Sequence, residues 1–321
     1  MRFVFRADAS NEIGAGHVMR ISVLAEEAIN QGFESIFIGR IKDLNWVENR
    51  ISGLGFLEIH KDFTSFVSDP NEDILVMDSY LVPVDMDEIQ TIRWACVVVI
   101  ADNLTPNYAA NLIIKPSLIS NIQQRDQLTL LEGPEFILIR KSLQISNGFK
   151  DQKKPLKIVI SGGGTDIQNF AKSIATELDK IDYCIEAHFF TSMKIESSSG
   201  KLFINHNIGE NIDIISRNAD LAFTTASTSA FEFLARRVPI GVVCAIDNQK
   251  EYYKQLGEYG YAIQIGDFTD KRNTKLKSEE IRNLITQKNT RNDLKRRSAN
   301  LIDTNGSYRI LLVIKEIFLK R

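Results

Sequence analysis

Charge of one sign is what this sequence most conspicuously lacks. Its 39 lysines and arginines face 41 aspartates and glutamates, so no broad field grips nucleic acid or anionic lipid, and any basic pocket must be local. Cysteine is scarce too. Cys96, Cys184 and Cys244 are odd in number, far apart and set in apolar runs. That excludes a disulfide framework or a metal knuckle and predicts small buried core residues in a reducing compartment. No apolar run reaches the length of a membrane span. The chain starts on a charged strand, which predicts neither signal nor transit peptide and so a cytoplasmic protein without membrane insertion.

What is present is a βα rhythm. Short β-branched and aromatic runs (RFVF, SIFIG, FLEIH, DILVMD, CVVVIAD, NLIIK) alternate with amphipathic segments such as VMRISVLAEEAINQ, where Ile21, Leu24, Ala25 and Ala28 share one face and Gly32 ends the helix. The lysine-rich stretch NGFKDQKKP, Asn147 to Pro155, reads as a linker. The rhythm then restarts with LKIVI, IEAHFF, KLFIN, DLAFT, IGVVCAI and YAIQIG, and the chain closes on helices. At 321 residues it exceeds the size at which one core keeps growing. The expected fold class is α/β, with two Rossmann-like domains, 1–147 and 156–321, a cleft between them, and the last helix packed back on the first domain.

Four constellations could carry chemistry. In RADASNEIGAGHVMR, Arg6 to Arg20, Gly14 and Gly16 flank Ala15 just before His17. Glycines there let main-chain N–H groups approach an anionic or polyhydroxylated ligand at the start of a helix. The positive end of that helix opposes charging of the ring, which suits a general base. A histidine that only caps or packs is the alternative. The third glycine of G-x-G-x-x-G is missing and no G-x-x-x-x-G-K-[ST] occurs, so neither a dinucleotide cofactor nor a P-loop is expected. The second constellation is ISGGGTD, where Gly162, Gly163 and Gly164 follow a strand as an anion cradle or a tight turn. The third runs from Thr224: Ser227 and Thr228 open a helix whose free N–H groups suit a diphosphate. Glu232 follows in that helix, and Asp247, Asn248 and Gln249 end the next strand. Dipole matching for Glu232 and helix capping for the other three are the plainer roles. In the fourth, Asp78, Ser79 and Tyr80 end one strand and Asp102 and Asn103 another, at the edge where open sheets bind ligands. His60, His188 and His206 lack a carboxylate or thiol at ligand spacing, so they read as structural and no metal is implied.

Together RADAS…IGAGHVMR, MDSY, IADN, LEGPEFILIR, ISGGGTD and the ST…FE…VP…DNQ run resemble, in order and over almost the whole chain, the UDP-2,4-diacetamido-2,4,6-trideoxy-β-L-altropyranose hydrolases of pseudaminic acid biosynthesis and the related spore-coat polysaccharide biosynthesis proteins. The resemblance implies a GT-B-like pair of Rossmann domains and cleavage of a UDP-linked sugar by water in bacterial surface-glycan synthesis, with inversion and without cofactor or metal. It implies that His17 deprotonates the water and Tyr80 positions sugar or water. Gly163, Ser227 and Thr228 then hold the diphosphate by main-chain N–H groups, Glu232 the ribose, Asn248 and Gln249 the sugar and adjoining phosphate, and Ile208, in NHNIGEN, meets the uracil through its backbone. Gly14, Gly16, Arg20, Asp78 and Gly164 complete the expected substrate site. Thr225 and Ala226 stand where family members carry Gly-Gly, narrowing the approach to the diphosphate. A glycosyltransferase using a UDP-sugar donor and a catalytically silent nucleotide-sugar binding protein are the alternatives.

Overall fold

The computed structural model describes residues 1–78, 92–102, 110–125, 128–143, 155–163, 169–209, 212–269 and 275–321. Two compact units account for them: Met1–Lys141 with Thr304–Arg321, and Ser142–Asp303. The second unit thus ends at Asp303, and the last helix belongs to the first.

The sheet of the first unit is built from β1 (Arg2–Arg6), β2 (Ser35–Ile38), β3 (Glu58–His60), β4 (Asp73–Met77), β5 (Cys96–Ile100), β6 (Leu112–Pro116), β7 (Asn121–Arg125) and β8 (Leu128–Gly133), in the order β3-β2-β1-β4-β5-β6-β8-β7. All neighbours are parallel except the β7/β8 pair. Every residue of β2 and β4 is buried, as expected of strands covered on both faces. The first helix, α1 (Gly16–Asn30), buries Val18, Ile21, Leu24, Ala25 and Ala28 against the sheet. It ends in a Schellman motif: Gly32 takes φ +84°, its N–H donates to Ile29 and that of Phe33 to Ala28. The closing helix, Gly306–Leu319, seats Ile310, Leu311 and Ile314 in the same core. It enters through Gly306, where a Cβ would stand 2.2 Å from the Ile137 carbonyl oxygen, so only glycine allows that approach.

The second unit repeats the plan with β9 (Leu156–Ser161), β10 (Ile185–Phe190), β11 (Leu202–His206), β12 (Leu221–Thr225), β13 (Ile240–Cys244) and β14 (Ile263–Asp267), ordered β11-β10-β9-β12-β13-β14 and all parallel. Relabelled from one, that is 3-2-1-4-5-6, the doubly wound Rossmann order. The first sheet contains the same order, extended by the β7/β8 hairpin.

Two expectations need correction. The hairpin was not expected: NIQQR is polar and Ile122 is 62% exposed, so the apolar alternation that marks a strand is absent. Cys184 is exposed, whereas Cys96 and Cys244 are buried and burial pushes both their thiols up to about 12. Most of the Asn147–Pro155 linker lies outside the described residues.

Candidate functional site

Strand order reverses between β1 and β4 in the first unit, and a doubly wound sheet receives its ligand at the carboxyl ends of those two strands. His17 follows β1, Asp78 follows β4 directly, and Asp102 follows the adjacent β5. The loop from β1 is closed on itself. The Gly14 N–H donates to the Ser10 carbonyl at 2.8 Å, and the Ser10 hydroxyl accepts from the N–H groups of Glu12 and Ile13. Gly14, at φ +80°, turns the chain into α1 so that His17 falls in the first turn and Arg20 one turn later on the same side.

Four side chains meet there. His17 is 4%, Asp78 1% and Arg20 7% exposed. The His17 Nδ1 lies 2.5 Å from Asp78 Oδ1. Because a carboxylate only accepts, Nδ1 carries the hydrogen of that bond, and a neutral ring bonded in this way has its lone pair on Nε2. Arg20 donates from Nε to Asp78 Oδ2 and from Nη2 to Asp78 Oδ1, both at 2.8 Å, and reaches Asp102 through Nη1 and Nη2. Burial alone would lower the pKa of Arg20. The carboxylates of Asp102 and Asp78 outweigh it and hold the guanidinium well above its ordinary value. Arg20 and Asp78, expected at the substrate, are therefore bonded to each other, and Asp78 also to His17. Gly16 is exposed beside the buried ring, and a Cβ on it or on Gly14 would meet nothing within 4 Å. Protein packing does not demand glycine at position 16.

The second unit has the same geometry at its own reversal point, between β9 and β12. Gly163 follows β9 at φ +94°, and a Cβ there would come 3.8 Å from the Thr225 hydroxyl and 4.0 Å from that of Ser227. Ser227 is the N-cap of the helix Thr228–Ala235, yet its hydroxyl makes no capping bond and instead pairs with Thr225 at 3.0 Å. An N-cap serine ordinarily satisfies its own helix; here that end is left to other partners. One expectation changes: the Ser227 N–H already donates to the Thr225 carbonyl at 2.8 Å, so Ser227 offers its hydroxyl and not its amide. Thr225 and Ala226 are 1% and 0% exposed and fill space below the surface instead of narrowing an approach above it. Glu232 sits half-buried in the second turn of the helix. Gln249 is buried, and its side-chain oxygen accepts from the Ala245 N–H at 3.0 Å, while Asn248 is half-buried beside it and Ile208 occupies the turn after β11. Neither Asn248 nor Gln249 forms a side-chain cap on the helix that follows. Tyr80 and Gly164, with Ser79 and Asn103, lie outside the described residues.

Two of the other three histidines do have carboxylate neighbours, and His206 lies against His188. His60 pairs with Glu58 and His188 with Glu186, each at 2.7 Å. A two-residue spacing along a strand places both side chains on one face, which the reading by metal-ligand spacing missed. Among the described residues no three His, Cys, Asp or Glu side chains group to hold a metal ion, and no helix is long and apolar enough to cross a membrane.

No protein-family model matches the chain. A curated relative does. It is 21% identical over 279 residues, spanning 82% of this chain and 99% of its own length: the UDP-2,4-diacetamido-2,4,6-trideoxy-β-L-altropyranose hydrolase of Campylobacter jejuni. This chain is similar to that hydrolase. Among solved structures, MurG of Acinetobacter baumannii superposes with a TM-score of 0.65 at 13% identity, covering 98% of this chain and all of MurG. A UDP-N-acetylglucosamine 2-epimerase gives 0.61 at 11% identity, covering 100% and 97%. The fold is GT-B-like.

Proposed function

We propose that this protein is a hydrolase that releases UDP from a UDP-linked diacetamido-trideoxy sugar in bacterial surface-glycan synthesis. The observation that carries the reading is the His17–Asp78 bond at the carboxyl end of the first sheet, which holds the ring by Nδ1. The similarity to the altropyranose hydrolase along nearly all of that enzyme supports it. In this reading Nε2 takes one proton from water as the water oxygen bonds to the anomeric carbon. The carbon–oxygen bond to the diphosphate breaks and its electron pair leaves with UDP. Asp78 stabilises the imidazolium so formed. As the family resemblance implies, the N–H groups at the start of the Thr228–Ala235 helix, the Ser227 hydroxyl and the Gly163 backbone offset the charge on the leaving diphosphate without a metal. Glu232 takes the ribose, the backbone at Ile208 the uracil, and Asn248 with the Gln249 amide the sugar and adjoining phosphate. Tyr80 orients sugar or water, as the family resemblance implies.

The test is UDP release from a panel of UDP-linked diacetamido sugars in water, with no acceptor added. Release with a free sugar as co-product is expected. Turnover only when a sugar alcohol is supplied would identify a glycosyltransferase instead, and UDP binding without turnover on any donor would identify a binding protein.

Gly16 gives a second, smaller test. Alanine at this exposed first helical position should leave thermal stability unchanged or raise it by about 0.5–1 kcal/mol. If the ligand approaches the backbone there, as the reading requires, UDP release by Gly16→Ala should fall. A variant that gains stability and keeps full turnover would remove Gly16 from the site.

A further inference from the structure

Asp78 has two claimants. Its Oδ1 accepts from His17 Nδ1 and from Arg20 Nη2, and its Oδ2 accepts from Arg20 Nε. A guanidinium with a single carboxylate for partner would spend its whole positive charge on that carboxylate, at the expense of the bond to His17. Here it is shared. Nη2 bridges Asp78 and Asp102, Nη1 turns to Asp102 alone, and the four bonds use four of the five N–H donors of Arg20. Both Nη2 hydrogens are thereby committed to carboxylate oxygens, so the 3.2 Å approach of Nη2 to His17 Nδ1 is a contact between two donors to one acceptor. Arg20, Asp78 and Asp102 together carry one net negative charge; a proton on His17 brings the group of four to zero.

We infer that Asp102 is a positioning residue for the reaction at His17: by taking half of the Arg20 guanidinium it reserves the Asp78 carboxylate for the imidazole. Asp102 acts through Arg20, to which both of its carboxylate oxygens are bonded. The inference rests on the hydrolase reading for its kinetic consequence and on the four-residue geometry for its spectroscopic one.

Two variants test it. Asp102→Asn keeps shape and removes charge; Asp102→Glu keeps charge and moves it by one methylene. With a turned-over UDP-sugar, kcat should fall about ten- to a hundredfold in Asp102→Asn, as for a misplaced catalytic group. It should fall less in Asp102→Glu, with KM unchanged in both. In the protein without substrate, proton NMR should show the His17 Nδ1 hydrogen far downfield, as a 2.5 Å bond to a carboxylate demands, and that resonance should move upfield in Asp102→Asn. A role confined to stability would alter the unfolding midpoint and leave kcat and the resonance in place. Wild-type kcat and an unmoved resonance in folded Asp102→Asn would overturn the inference. If that variant does not fold, wild-type values of both in Asp102→Glu would do so. Should the wild type release UDP from no donor, the hydrolase reading fails, while the resonance still decides whether Asp102 governs the Asp78–His17 bond.

Discussion

Replacing His17 with alanine is expected to cut UDP release by about a hundred- to ten-thousandfold, the usual contribution of a positioned general base. UDP affinity should change by less than about twofold, because the base meets charge only in the transition state. The expectation follows from placement. The ring is buried next to the exposed Gly16, its Nδ1 is tied to Asp78, and the residues expected to hold the diphosphate and nucleoside belong to the second unit. Steady-state kinetics and UDP titration on the same preparation check it. A His17→Ala protein with turnover near wild type would end the general-base assignment, and one that loses UDP affinity in step with turnover would make His17 a binding residue.

Arg20→Met should produce the largest loss of stability, about 3–5 kcal/mol, because it leaves two carboxylates without the cation that compensates them in the interior. The damage is to the first unit, and the protein carries its own reporter. Its two tryptophans, Trp46 and Trp94, both lie in that unit, so fluorescence-monitored denaturation reads it separately. Adding Asp78→Asn and Asp102→Asn to Arg20→Met should recover most of the loss, since a buried charge cluster removed whole leaves no charge uncompensated. A loss below about 1 kcal/mol for Arg20→Met alone would be that of a solvated ion pair and would contradict the burial of this one.

Much of this was readable from the chain. Apolar β-branched runs located the central strands of both Rossmann sheets because those strands are buried on both faces, and the glycine-flanked turn before His17 marked the carboxyl end of β1 as a candidate site. The β7/β8 hairpin escaped because its edge strand is polar on both sides and presents no period. Asp78 was placed at a strand end, yet its engagement with His17 and Arg20 was not seen. Contacts across 58 to 82 positions leave no trace in local spacing. One signal did exist. His17 and Arg20 are three apart on a helix, and Asp78 and Asp102 close strands next to one another. With the Rossmann order assumed, the carboxyl ends of β1, β4 and β5 are neighbours and the four side chains must converge. In the second unit the sequence singled out Gly163, Ser227 and Thr228, while the use of the Ser227 amide by the Thr225 carbonyl is a backbone event that no residue type announces.

The return of residues 304–321 to the first unit bears on how the protein is made. Domains commonly complete in the order of synthesis, but here the segment that supplies Ile310, Leu311 and Ile314 to the earlier unit's core is translated after all of Ser142–Asp303. The later unit, drawn from one continuous stretch, needs nothing translated after Asp303, whereas the earlier one keeps an apolar flank uncovered until the last helix arrives. A released chain truncated after Asp303 should therefore show a protease-resistant second unit and a protease-sensitive first one.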